Sequence, residues 1–297
     1  MSGPGLGVSG PSEFRGDPLN LAQIDWNASS RVLAEAAAEL APTEEPPSSE
    51  YQIATAVVKL HRGNLSAART ALEAAHMRLS QPSLELLIDV PRFETLTDPP
   101  GLEFELLVQE DRLDEAEALA KNRLRRDEWN EGYLCRVHCE RGRTEEGTRC
   151  FRQLLGTGLR ANRWGRAAAR CAWDGHDLDE ARHAAYSAHD PRVMAALDTL
   201  NGYSGEGDDG LPGMLAAARS HNDVLEELQL QLLLGSAEMR AWSTLGHAPA
   251  VKAKLDRGRR RLQSLVAEAS KRGFLLLARK AALELKRDSF PPATRTH

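Results

Sequence analysis

Aromatic residues are scarce in this chain: Phe, Trp and Tyr make up 5% of its 297 residues. Leu and Ala must therefore do most of the packing, and a hydrophobic share of 41% is enough for a core. Runs of alternating β-branched residues are missing, which argues against a sheet. No apolar run approaches the roughly 20 residues that span a bilayer. Met1 to Asp17 has neither a basic start nor an apolar stretch, so it reads as a disordered tail and not as a signal peptide. A cytoplasmic protein is the default expectation. Catalytic motifs are missing as well. The chain has no HExxH, no Walker loop, no GxSxG and no GxGxxG, and the opening GPGLG has no strand before it. Carboxylate pairs are plentiful, as on any helical surface, and single out no acid and base. The expectation is a non-enzyme without a cofactor.

Cysteine is limited to Cys135, Cys139, Cys150 and Cys171. All four fall within predicted helices, which suits free thiols in a reducing compartment. Cys135, His138 and Cys139 share one helical turn, and Cys150 follows on the next helix, which makes zinc a candidate. A second ligand pair is lacking, and Cys135 stands where a small packing residue belongs, so packing is the expected role and metal is not. Asp174-Gly-His-Asp-Leu-Asp-Glu and Glu206-Gly-Asp-Asp-Gly miss the spacing of a calcium loop.

What is present is a repeated theme. Gly63-Asn-Leu-Ser-Ala-Ala68, Asp111-Arg-Leu-Asp-Glu-Ala116, Gly142-Arg-Thr-Glu-Glu-Gly147 and His176-Asp-Leu-Asp-Glu-Ala181 each place a small residue five positions after a turn residue. The last three small residues stand 31 and 34 apart, the period of stacked helical hairpins. Helices are predicted near 50–61, 66–77, 80–90, 102–110, 113–125, 129–141, 144–156, 161–174, 177–188, 211–219, 222–246, 250–270 and 272–287. An N-terminal helical pair is predicted over 18–41, and the Pro-rich 91–100 is read as an irregular link. Small Ala68, Ala116, Gly147 and Ala181 allow close helix approach, and Leu72, Leu119, Phe151 and Tyr186 are expected to fill the gaps between hairpins. The domain plan is a disordered tail at 1–17, a helical array at 18–200, a flexible link at 201–210 and C-terminal helices at 211–290.

Residues 129–155, WNEGYLCRVHCERGRTEEGTRCFRQLL, resemble a tetratricopeptide repeat, with Cys135, His138, Gly142, Gly147 and Phe151 in the family's positions. Residues 53–75, 104–123 and 168–188 share the turn and the following Ala, while the family's closing Pro is absent and its first aromatic mostly replaced. The likeness covers roughly 50–190. It implies an all-α, right-handed superhelix of antiparallel helix hairpins, a TPR-like α-solenoid. A second stretch, LQSLVAEASKRGFLLLARKAALEL at 262–285, is similar to the closing helices of the repeat region in large bacterial signalling proteins. Those carry a winged-helix DNA-binding domain or a serine/threonine kinase, and neither pattern occurs here.

The implied function is a scaffold or adaptor for protein–protein interaction, with a peptide or partner helix on the concave face. Trp129, Trp164 and Trp173 fall on successive hairpins, as gap-fillers or as peptide anchors. Arg136, Arg160, Arg163, Arg166 and Arg170 lie on the same hairpins and either line a groove for an acidic peptide, together with Trp129, or are solvated. Residues 251–297 carry 13 Lys or Arg against 4 Asp or Glu, in a chain of net charge −5. Within them Arg257, Arg259, Arg260 and Arg261 form either a solvated face or a contact for an anionic partner. The alternative function is accordingly the regulatory part of a bacterial signalling or transcription system that touches nucleic acid, an acidic segment or a second copy of itself. No aromatics interleave for base stacking, which makes nucleic acid the lesser choice.

Overall fold

The computed structural model describes residues 49–79, 99–123, 129–156, 161–202, 210–245 and 248–287. Among these the fold is all-helical, with 13 helices and no strand. They are α1 (Ser49–His61), α2 (Leu65–Leu79), α3 (Pro99–Gln109), α4 (Leu113–Arg123), α5 (Trp129–Glu140), α6 (Thr144–Gly156), α7 (Ala161–Asp174), α8 (Leu178–Ser187), α9 (Pro191–Leu200), α10 (Leu211–Ser220), α11 (Val224–Leu245), α12 (Pro249–Arg272) and α13 (Leu275–Arg287). The tail at 1–17, the helical pair at 18–41 and the helix at 80–90 lie outside the described residues.

The repeated sequence theme is one turn geometry used again and again. Gly63, Asp111, Gly142 and His176, its first residues, all adopt left-handed backbone conformation, with φ of 78°, 59°, 79° and 64°. The next residue's N–H then reaches back across the turn to the carbonyl five residues earlier: Asn64 to Lys59, Arg112 to Leu107, Arg143 to His138 and Asp177 to Ala172. This closes the first helix of each hairpin by meeting carbonyls that would otherwise be orphaned. The following side chain often starts the second helix, as Asn64 does by accepting from Ala67 N–H and Asp177 from Glu180 N–H. Five residues beyond each left-handed position, Ala68, Ala116, Gly147 and Ala181 are buried.

Three further turns share the geometry but not the whole sequence theme. His189, Asn222 and Gly273 are left-handed, and Asp190, Asp223 and Phe274 donate the return bond. Met194 and Glu227 stand where a small residue was looked for, which is why the first two were not recognised. Helix α9 was missed for this reason. Asp190 caps it by accepting from Arg192 N–H, and Pro191 supplies its first turn.

Leu72 and Phe151 are buried as expected, but Tyr186 is 77% exposed and fills no gap between hairpins. On α8 the inward positions belong to Ala181, Ala184 and Ala185, which leaves the Tyr186 ring on the outer side. Trp164 and Trp173 are buried. The side chain of Trp129 lies outside the described residues.

Successive helices pack on one another, but contact does not stop at sequence neighbours. Helix α1 meets α11, and α13 meets α3. The buried His61 ring bonds Asp223 at 3.0 Å, across 162 residues of chain. Arg62 donates to the carbonyls of His221 and Asn222. Arg279 forks onto Asp111 at 2.7 and 2.9 Å and donates to the Glu140 carbonyl. The segment 201–210 therefore divides nothing: one apolar cluster runs from Phe104 to Leu276 and another from Ile53 to Ala281. Residues of α11 to α13 are wall and core together, each buried Leu contributing about 1.5–3 kcal/mol. Where α11 crosses α12, a Cβ on Gly258 would stand 2.7 Å from the Gly235 carbonyl, so only glycine permits that approach.

Ala116 sits with no exposed surface at a crossing sized for a methyl group. Ala116→Leu is expected to destabilise the protein by about 1–3 kcal/mol through overpacking, read as a lower urea midpoint at unchanged m-value.

Candidate binding cavity

Inner helices α1, α3, α5, α7 and α9 turn one face each towards a common cavity of about 570 Å³, which α10, α11 and α13 close from the other side. The polar wall is built by the repeat itself. Two residues before the left-handed turn stand His61, Gln109, Glu140 and Asp174, and all four line the cavity. Four residues earlier on three of these helices stand Glu105, Arg136 and Arg170, one helical turn away on the same face. This polar ladder was not recognised from sequence. Its signal was available: a polar residue at a fixed offset from each turn, inside an otherwise apolar helix end.

Charges of the ladder are met in pairs. Arg136 grips Glu105 through two bonds of 2.6 and 3.0 Å and lies 3.6 Å from Glu140. Arg170 bonds Asp174 at 3.1 Å. Lys280, from α13, bonds Asp174 at 2.8 Å and also pairs with Glu140. Arg192 holds Glu226 at 2.8 Å. Burial alone would raise the Glu105 carboxyl, but the Arg136 guanidinium outweighs it and holds the group below the usual carboxylate range. Asp174 is likewise held far below that range: burial opposes it, and the charges of Arg170 and Lys280 prevail. Gln109 donates to Glu105 at 2.7 Å, yet among the described residues its own carbonyl Oε1 has no hydrogen-bond partner, although the residue is 1% exposed. Arg166 lines the same cavity and, among the described residues, has no carboxylate partner.

Tyr133 and Trp164, on consecutive inner helices, give the cavity its aromatic wall, and Phe104 backs Tyr133 from the core. Phe104 and Tyr133 have centroids 4.5 Å apart, and Trp164 meets Tyr133 edge-on at 4.9 Å. Trp164 lies across α5 where a Cβ on Gly132 would come within 2.2 Å of the indole. Behind it, Arg240 stacks over Trp173 at 4.7 Å, donates to the Trp173 carbonyl and pairs with Glu284.

Cysteine pairing corrects the free-thiol expectation. Cys135 is joined to Cys150 and Cys139 to Cys171, with no free cysteine. Hairpin stacking brings α5, α6 and α7 close enough for both bridges, a proximity across helices that linear spacing does not display. Bonds of this kind persist in oxidising surroundings, so the reducing-compartment argument loses its support. Gly147 explains the fit: a Cβ there would stand 2.2 Å from the sulfur of Cys139 and 2.9 Å from that of Cys171. Among the described residues no group of three His, Cys, Asp or Glu side chains is placed to hold a metal ion, and no helix is long and apolar enough to cross a membrane.

The arginines singled out from sequence separate into distinct situations. Arg136, Arg166 and Arg170 line the cavity. Arg160 and the side chain of Arg163 lie outside the described residues. On α12, Arg257 and Arg261 both bond Glu238, while Arg260 is exposed. The expected row of four basic anchors is therefore partly committed to the neighbouring helix.

Reduction is expected to lower stability by about 3 kcal/mol per bridge, since the bonds close segments of 15 and 32 residues. A melting-temperature drop with dithiothreitol, absent in Cys139→Ser/Cys171→Ser for its own bridge, checks this. Glu105 and Asp174 have folded pKa values below their unfolded ones, so their stabilisation is full above about pH 5 and is lost as pH falls below about 4. Thermal melts should be level above that window and fall within it, less steeply in Asp174→Asn.

Comparison with protein-family models, with curated proteins and with solved structures finds no match to this chain.

Proposed function

We propose that the chain is a non-catalytic interaction module, a TPR-like right-handed solenoid whose concave side has closed over a receptor cavity for a short peptide segment of a partner protein. The observation that carries this reading is the convergence of five inner helices on one space, four of them giving it the same repeat position. Its size falls in the range of ligand sites, roughly 300–1,000 Å³. Its lining suits a peptide: aromatic faces at Tyr133 and Trp164 for an apolar side chain, and polar rungs for main-chain groups. A partner helix about 10 Å across is a poorer fit, because α11 and α13 already line the cavity. The carboxylates of the cavity are bound to arginines and a lysine, an arrangement that fixes its walls.

A photo-crosslinking side chain at Ala167, which lines the cavity, tests the reading. Irradiation in the presence of a random peptide pool is expected to label the protein, and Ala217→Trp, which fills the same cavity, is expected to abolish the labelling. The same crosslinker at exposed Lys252 on α12 should stay unlabelled. Equal labelling at both places would sink the proposal.

A further inference from the structure

Among the described residues, Arg166, Gln109 Oε1 and His221 Nδ1 line the cavity without a side-chain partner, and the first two point to the same kind of ligand. Arg136, Arg170, Arg192 and Lys280 each have a carboxylate. Arg166 has none among the described residues, although it is half-buried and neighbours Trp164 and Ala167 in the wall. A half-buried guanidinium without an anion has lost part of its water and gained nothing in exchange. Gln109 is the second group. Of the four rungs, His61 is met by Asp223, and Glu140 and Asp174 by Lys280. Among the described residues the Gln109 rung alone receives nothing from the C-terminal helices, and its Oε1 is a deeply buried acceptor with no donor. A buried acceptor left unmet carries a desolvation penalty, which a ligand N–H would recover.

We infer that the cavity takes a peptide bearing a carboxylate, with Arg166 receiving the carboxylate and Gln109 Oε1 accepting an N–H of the same peptide. The inference rests on the peptide reading above and adds the ligand's charge and anchoring residues. Guanidinium and carboxylate form paired, charge-assisted bonds in one plane, and the aromatic wall beside Arg166 lowers the competition from water. The carboxylate has two sources, a free C-terminus or an Asp or Glu side chain.

Short peptides selected from a random-sequence library by the full chain serve as probes, and fluorescence anisotropy reads their affinity. Each selected peptide is remade with an amidated C-terminus and, separately, with Asn and Gln in place of Asp and Glu. One of the two changes is expected to weaken binding about 10- to 100-fold, the span of a charged hydrogen bond. Loss on amidation assigns the terminus; loss on the amide side chains assigns the side chain. Arg166→Gln should weaken the parent peptide as much and the neutralised peptide no further, while Arg166→Lys should keep part of the preference. Unchanged melting temperatures in both variants exclude a folding effect. If peptides bind, are blocked by Ala217→Trp and ignore the carboxylate, this inference fails and the peptide reading stands. If the chain selects no peptide, both fail.

Discussion

Each of the first four hairpins ends its inner helix with a polar side chain turned inwards, and an inward polar group must find a partner or carry a penalty. That constraint organises the molecule. His61 needs Asp223, and Glu140 and Asp174 need Lys280. These partners lie on the far side of the sequence, so the C-terminal helices must return across the inner faces. The apolar stripes of α11 and α13 then join the same cores as the hairpins. Deeply buried charge pairs are weak evidence of net stability, because desolvation offsets much of the attraction. Their value lies in fixing which surfaces meet: a shifted α13 would break at once the pairs that Arg279, Lys280 and Glu284 make with Asp111, Asp174 and Arg240.

Much of the helical content was legible because turn chemistry is local. Gly63, Asp111, Gly142 and His176 announce left-handed turns, and the small residue five places on announces a crossing. Helices α6 and α7 have the ends that the sequence predicted, at 144–156 and 161–174. Helix α9 escaped because Met194 stands at the small position of its turn. Long-range matters were harder to read. Pairing of Cys139 with Cys171 depends on two hairpins lying side by side, and the vacancy that admits it belongs to Gly147 on a third helix. Tyr186 was misplaced because a repeat position predicts burial only if the next hairpin covers it, and none covers this one.

Half of the candidate site was visible in the same way. Arg136, Arg166 and Arg170 were placed on the same hairpins, as groove-lining or solvated, and they share the cavity. Their partners were not: nothing near Arg136 in sequence marks Glu105, one repeat earlier, as its acid, and nothing near Asp174 marks Lys280. A cation in a linear sequence shows its charge but not whether that charge has been spent. Arg257 and Arg261 illustrate the point, since both are committed to Glu238.

An open stack of helical hairpins tolerates duplication, because each unit touches only its neighbours and the pile simply grows longer. The bond between His61 and Asp223 removes that freedom. One additional unit between them would carry the two residues apart, strand both in an apolar interior and break the seam along Asp111 and Arg279 as well. The number of hairpins is thereby fixed like the staves of a cask. Lineages of this protein should vary by substitution and by loop length, and not by gain or loss of whole units.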